Sequence, residues 1–144
     1  MKRIINTTIL RRKKRPKTEN EKVEHELDKS WSTLVKLRVD YNCEVCGKHG
    51  DGRQINAHHI YGRRKRSTRW DIDNGICLCV NCHTFSPTFS AHETPLDFAI
   101  WIKEYKGEEF ITKLMQKAET AVNLLAFEKK ELLKELQDKI KSYG

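Results

Sequence analysis

The sequence predicts a small α+β domain, mostly helical, built around a metal-stapled segment of short strands. Three observations predict it. Two Cys-x-x-Cys pairs, Cys43/Cys46 and Cys79/Cys82, bracket 32 residues rich in His, Gly and Arg. Apolar residues recur at helical spacing on both sides of that segment and lose the period inside it. A chain of 144 residues supports one modest core and little more. The boundaries expected are a basic arm over 1–17, an N-terminal helix over 18–40, a metal-bearing core over 41–92 and C-terminal helices over 93–144.

Arg11, Arg12, Lys13, Lys14 and Arg15 form an unbroken basic run before Pro16. It reads either as a solvated tail or as a phosphate-contacting arm. Thr18 and Glu21 have the spacing of a capping box. Behind them Val23, Leu27, Trp31 and Leu34 lie on one face of a helix expected from about 19 to 39, with Trp31 as a core anchor. Thr94-Pro95-Leu96-Asp97 opens a second helix, with Thr94 as N-cap, Pro95 at the first position and Gly107 as the stop. A last helix is expected from about 108 to 142. Its stripe of Met115, Ala118, Val122, Leu125, Leu132, Leu136, Ile140 and Tyr143 is broken by Lys129. The stripe suits packing within the chain, and its exposed end would suit a homodimer seam.

The four cysteines of the two pairs suit one structural zinc, because a two-residue spacer lets both thiolates of a knuckle reach a tetrahedral ion at about 2.3 Å. Gly47 follows the first pair, where such a turn favours positive φ. With all four positions taken by Cys, none is open to substrate. Cys77 reads as a small packed hydrophobe; using it in place of Cys79 would stretch the second spacer to four residues. A redox dithiol would need only one pair.

Between the knuckles lies Gln54-Ile55-Asn56-Ala57-His58-His59-Ile60, then a basic loop, then Asp73-Asn74-Gly75-Ile76, and His83 directly follows the second knuckle. With Ala57-His58-His59-Ile60, Asp73-Asn74-Gly75-Ile76 and Leu78-Cys79-Val80-Asn81-Cys82-His83, residues 41–92 resemble the HNH endonucleases and their ββα-metal (His-Me finger) fold. The Trp31 helix and Ser90-Ala91-His92 further resemble phage-encoded members related to the NinG recombination proteins. The resemblance implies His58 and His83 as ligands of a catalytic divalent ion, Mg2+ or another such as Mn2+, and His59 as the general base. It implies Asn74, placed near the turn between the second strand and the helix, as the residue that holds the loop bearing His59. Adjacent residues on a strand point to opposite faces, which would let one imidazole face a metal and its neighbour a phosphate. The family helix continues past the last His, but Pro87 biases Ser86 away from helix and shortens it here. A ligand from its next turn would then be missing; His92 could replace it, contact phosphate, or merely precede the cap at Thr94.

The net charge is +8 and the sequence pI about 9.3, so an acidic polymer is the expected partner. The loop bearing Arg63, Arg64, Lys65, Arg66 and Arg69 has no acid from Arg53 to Trp70. It reads as a solvated loop or, next to His59, as a phosphate grip in which Arg63 and Arg64 are best placed. Trp70 would stack on a base or, better, enter the core at the start of the second strand. His25 and His49 have no nameable partner. Charge 33% and mean hydropathy −0.73, without a long apolar run, argue against a membrane span, and no secretory signal is apparent. The expectation is an intracellular DNA endonuclease, in the cytoplasm of a bacterial host if phage-encoded. The alternative is a zinc-stapled DNA-binding or recombination-accessory module that never cuts.

Overall fold

The computed structural model describes residues 14–144. Helix α1 (Glu19–Leu37) begins at the expected capping box: Glu21 N–H donates to Thr18 Oγ1 (3.2 Å) and Thr18 N–H to the Glu21 carboxylate (2.8 Å). Its apolar face buries Leu27, Trp31, Leu34 and Val35. The two strands β1 (Ile55–His59) and β2 (Gly75–Cys79) pair antiparallel, with His58 opposite Ile76 and His59 opposite Gly75. Every residue of β2 is buried, between β1, α1 and the turn that follows it.

Gly75 sets how closely α1 can approach. A Cβ there would lie 2.3 Å from Val35 Cγ2 and 3.0 Å from the Trp31 ring, so only glycine lets the helix settle onto β2. A single turn of 3-10 helix, Ile72–Asn74, leads into β2, and one π-helical turn, Asn81–Phe85, leaves it. The shortened helix expected from Pro87 is therefore a single turn that ends at Ser86.

Helix α2 (Pro95–Lys106) starts and stops where the sequence places it, but Thr94 does not cap it through its side chain. Its hydroxyl instead accepts from Ser90 N–H (2.9 Å) and donates to Ser90 O (3.0 Å), closing the loop that carries His92. The single last helix is corrected to two, α3 (Glu108–Glu119) and α4 (Ala126–Ser142). Thr120 turns extended and residues 121–125 are irregular. Thr120, Val122 and Asn123 are weak helix formers, and the break lets α4 fold back along α1 and bury Leu136. Lys129, which seemed to interrupt the stripe, is itself buried, with its ammonium on Glu24 (2.7 Å) and Asn20 (3.0 Å) of α1. The stripe is thus divided, and its α4 part is used within the chain. Among the described residues no helix is long and apolar enough to cross a membrane.

Candidate active site

The first knuckle is a tight hairpin. Cys43 N–H donates to Lys48 O (2.9 Å), Gly47 N–H to Cys43 O (2.8 Å), and Gly47 takes a φ of 74°. The second begins on the last residue of β2, where Cys82 N–H points at Cys79 Sγ (3.5 Å). The four sulfurs of Cys43, Cys46, Cys79 and Cys82 lie within 4.8 Å of one another, with Cys46 and Cys79 3.7 Å apart. Tetrahedral bonds of about 2.3 Å put sulfurs roughly 3.8 Å apart, so the quartet fits one zinc. Cys77 is fully buried outside the quartet, its thiol pushed up to about 12 mainly by burial. Between the first pair, Glu44 fastens the knuckle to the rest of the fold. Its nearly buried carboxylate accepts from Cys77 N–H (2.7 Å), Arg38 (3.2 Å) and Lys106 (3.0 Å).

The strand alternation separates the two histidines of β1. On one side His58 meets His83, from the π-helical turn, and His92, from the loop before α2; their ring centroids lie 5.2 and 5.6 Å from that of His58. One nitrogen of each comes within 4.8 Å of the others, and His83 Nε2 and His92 Nε2 are 3.2 Å apart. Neighbouring donors on one ion with bonds of about 2.1 Å are roughly 3.0–3.4 Å apart, so three imidazoles fit a divalent cation. Burial, and then the nearby His83 and His92, push the His58 pKa down to about 4; burial also lowers that of His83. Neutral imidazole is the form that ligates. His92, open to three readings from sequence, is brought to this cluster by His92 N–H donating to His83 O (3.1 Å).

On the other side His59 lies flat against the Trp31 indole, with centroids 3.7 Å apart and planes 10° from parallel. Its Nε2 is 2.8 Å from Arg69 O. A carbonyl only accepts, so Nε2 carries the proton and Nδ1 the lone pair. Burial lowers the His59 pKa, which keeps the ring neutral.

Asn74 is placed differently from the expectation: it sits in the 3-10 turn before β2, not between β2 and the following helix. Fully buried, it still spans the loop after His59. Oδ1 accepts from Tyr61 N–H (2.7 Å), while Nδ2 donates to Tyr61 O (2.8 Å) and Thr68 O (2.9 Å).

The basic loop is divided by its partners. Arg69 binds Asp28 through two bonds (3.0 and 2.7 Å), and Arg66 binds Glu24 through two (3.3 and 2.5 Å). These two forks are held by α1. Arg63, 65% exposed, only approaches Asp28 at 3.9 Å, and Arg64 and Lys65 point to solvent. Trp70 is buried, as expected of a core residue, but in this loop and not on β2; its Nε1 donates to Asp28 (2.8 Å). Of the arm, Arg11, Arg12 and Lys13 lie outside the described residues, Lys14 is exposed, and Arg15 forks onto Glu21. Among the described residues the His25 side chain makes no hydrogen bond, whereas His49 Nδ1 lies 3.0 Å from Asp40 O.

His58, His59, His83, His92, Arg63 and Asp28 line one cleft of about 450 Å³. It offers a neutral imidazole with a free lone pair, a second set of imidazoles fit for a cation, and an arginine at the rim. That is the equipment for activating water beside a bound anion. Residues 43–85 match the family model described as HNH endonuclease. The matched segment resembles an HNH endonuclease domain and carries the four-cysteine cluster. No curated protein and no solved structure matches the chain.

Sequence reasoning missed the role of α1 in this cleft. Trp31 was legible only as core, and Asp28 not at all. The available signal was the spacing of Glu24, Asp28 and Trp31, which puts two acids and an indole on one helix face opposite a loop without acids.

Proposed function

We propose that the protein is a metal-dependent endonuclease that hydrolyses DNA phosphodiester bonds. The observation that carries the reading is the pairing, across one strand, of a His59 ring whose Nδ1 lone pair is left free with a cluster of three imidazoles fit for a cation. In this reading His58 and His83, with His92 as third donor, hold one divalent ion such as Mg2+ or Mn2+. That ion would stabilise charge on the phosphoryl and leaving oxygens. His59 takes the proton of a water through Nδ1, and the hydroxide so formed attacks phosphorus in line with the 3′ oxygen, leaving a 5′ phosphate. Asn74 holds the loop from Tyr61 to Thr68 so that the carbonyl facing His59 stays in place. Arg63 and Arg64 grip the backbone beside the reacting phosphate. The zinc of the four cysteines is structural, with no position open to substrate.

Nicking of supercoiled plasmid with Mg2+ or Mn2+ tests this. The expected result is conversion to open-circle or linear DNA, abolished by His59→Ala while binding persists. Tight DNA binding by the wild-type chain without cutting under any divalent ion would replace the reading with that of an accessory binding module.

A further inference from the structure

An imidazole is an efficient general base when its ring plane and its proton are both held, and β1 by itself fixes neither. One constraint on His59 comes directly from α1 and the other from a loop that α1 clamps, and α1 lies outside the matched segment 43–85. The plane is set by the Trp31 indole, stacked at 3.7 Å and 10°. That indole is held in turn, because its Nε1 donates to Asp71 O (2.7 Å) and the ring is 2% exposed. The proton is set by Arg69 O, which accepts from Nε2 at 2.8 Å.

A loop carbonyl is a firm acceptor only if the loop cannot turn. Here residues 68–70 are fastened one after another. Thr68 O accepts from Asn74 Nδ2 (2.9 Å), while Asp28 takes Arg69 Nε (3.0 Å), Arg69 Nη2 (2.7 Å) and Trp70 Nε1 (2.8 Å) on its two oxygens. Asp28 and Trp31 are three residues apart on α1, so one helix face meets the ring and the loop that orients it.

We propose that Asp28 and Trp31 are positioning residues for His59: Trp31 fixes the ring plane, and Asp28, by clamping Arg69 and Trp70, holds the carbonyl that fixes which nitrogen carries the proton. The inference rests on the nuclease reading for its effect on rate, but its structural part does not. Rates depend on such alignment steeply, since a displacement near 1 Å can cost about a hundredfold.

The test compares the full-length zinc-loaded chain with Asp28→Asn, which keeps an acceptor for Trp70 but loses the charge that clamps Arg69, and with Trp31→Phe, which keeps an aromatic face. Zinc content and thermal melts establish that each variant is folded. Two readouts follow. Single-turnover cleavage should fall about 10–100-fold in Asp28→Asn, with the Kd for DNA within twofold of wild type. In proton NMR, the wild-type His59 Hε2 should be visible and slow to exchange, and its carbon-bound ring protons shifted upfield by the indole. Asp28→Asn should lose the Hε2 signal to exchange, and Trp31→Phe should reduce the upfield shift. If Asp28→Asn fails to fold, Trp31→Phe and its ring shifts carry the decision. Unchanged rate and unchanged His59 resonances in folded variants would overturn the proposal, as would equal losses of affinity and rate. A wild-type chain that cuts no DNA would remove the nuclease reading, and the His59 resonances would still decide whether α1 sets the ring.

Discussion

Replacing Glu24 by Gln tests the junction that joins α4, α1 and the basic loop. Glu24 receives Lys129 at 2.7 Å, Arg66 at 2.5 Å and Arg69 at 3.5 Å, and its side chain is 17% exposed. The Lys129 side chain is 6% exposed, so its ammonium has been taken almost wholly out of water and is neutralised by this one carboxylate. Breaking a buried pair from one side costs about 3–5 kcal/mol, because the remaining charge is stranded. Lys129 would keep the Asn20 amide oxygen, which puts the expected loss near the lower end, about 3 kcal/mol. For a chain of this size that lowers Tm by roughly 6–12 °C. The sign with pH follows from the Glu24 carboxyl, held down from 4.5 to about 2, first by its hydrogen bonds with Arg66. Its contribution is fully present above about pH 4.5 and disappears as pH falls toward 2, so wild type and Glu24→Gln should converge in acid. Urea denaturation followed by far-UV circular dichroism, with zinc in constant excess, measures the difference. Lys129→Met should restore most of the loss when added to Glu24→Gln, since the stranded ammonium is then gone. A loss below about 0.5 kcal/mol for Glu24→Gln, or simple additivity in the double-mutant cycle, would refute the reasoning.

Cys43→Ser or Cys79→Ser should unfold the central segment, and protein purified without chelator should contain one tightly held zinc per chain by elemental analysis. His59→Ala should abolish cutting and leave divalent-ion affinity nearly intact, whereas His58→Ala and His83→Ala should weaken that affinity, as titration calorimetry would show. Neutralising Arg63 and Arg64 should flatten the salt dependence of DNA binding and depress cutting, while removal of residues 1–17 should flatten it alone; an unchanged slope would mean that segment does not meet DNA. Gly75→Ala should destabilise the fold by forcing Val35 and Trp31 away from β2, and a melt equal to wild type would show that α1 can shift without loss.

What the sequence reveals and what it hides divide along a physical line. The capping box, the two knuckles and the alternation of His58 and His59 are local, so spacing alone shows them. The end of α3 is not local. No glycine or proline marks residues 120–125, and the break shows its use only in the tertiary fold, where it lets α4 pack along α1. Asn74 was legible as a loop-holding residue but misplaced, because its neighbours Ile72 and Asp73 form a helical turn where a strand was expected. Arg66 and Arg69 look free in a sequence without nearby acids. Their carboxylates lie 42 and 41 residues earlier, a relation that only the tertiary fold creates.

The bond from Lys129 to Asn20 closes a loop of 109 residues. During synthesis α1 leaves the ribosome before its partners, with Leu27, Trp31 and Leu34 bare until β2 arrives, and its other side stays open until α4 follows. The cleft between needs Trp31 and Asp28 from the first part of the chain, His58 and His59 from the middle, and His92 from beyond the second knuckle. No nascent fragment ending before His92 can assemble it, and none ending before α4 can neutralise Glu24 with Lys129. On the chemistry proposed here, cutting competence waits for His92 to join His58 and His83, and the junction at Glu24 is completed later still, when α4 arrives.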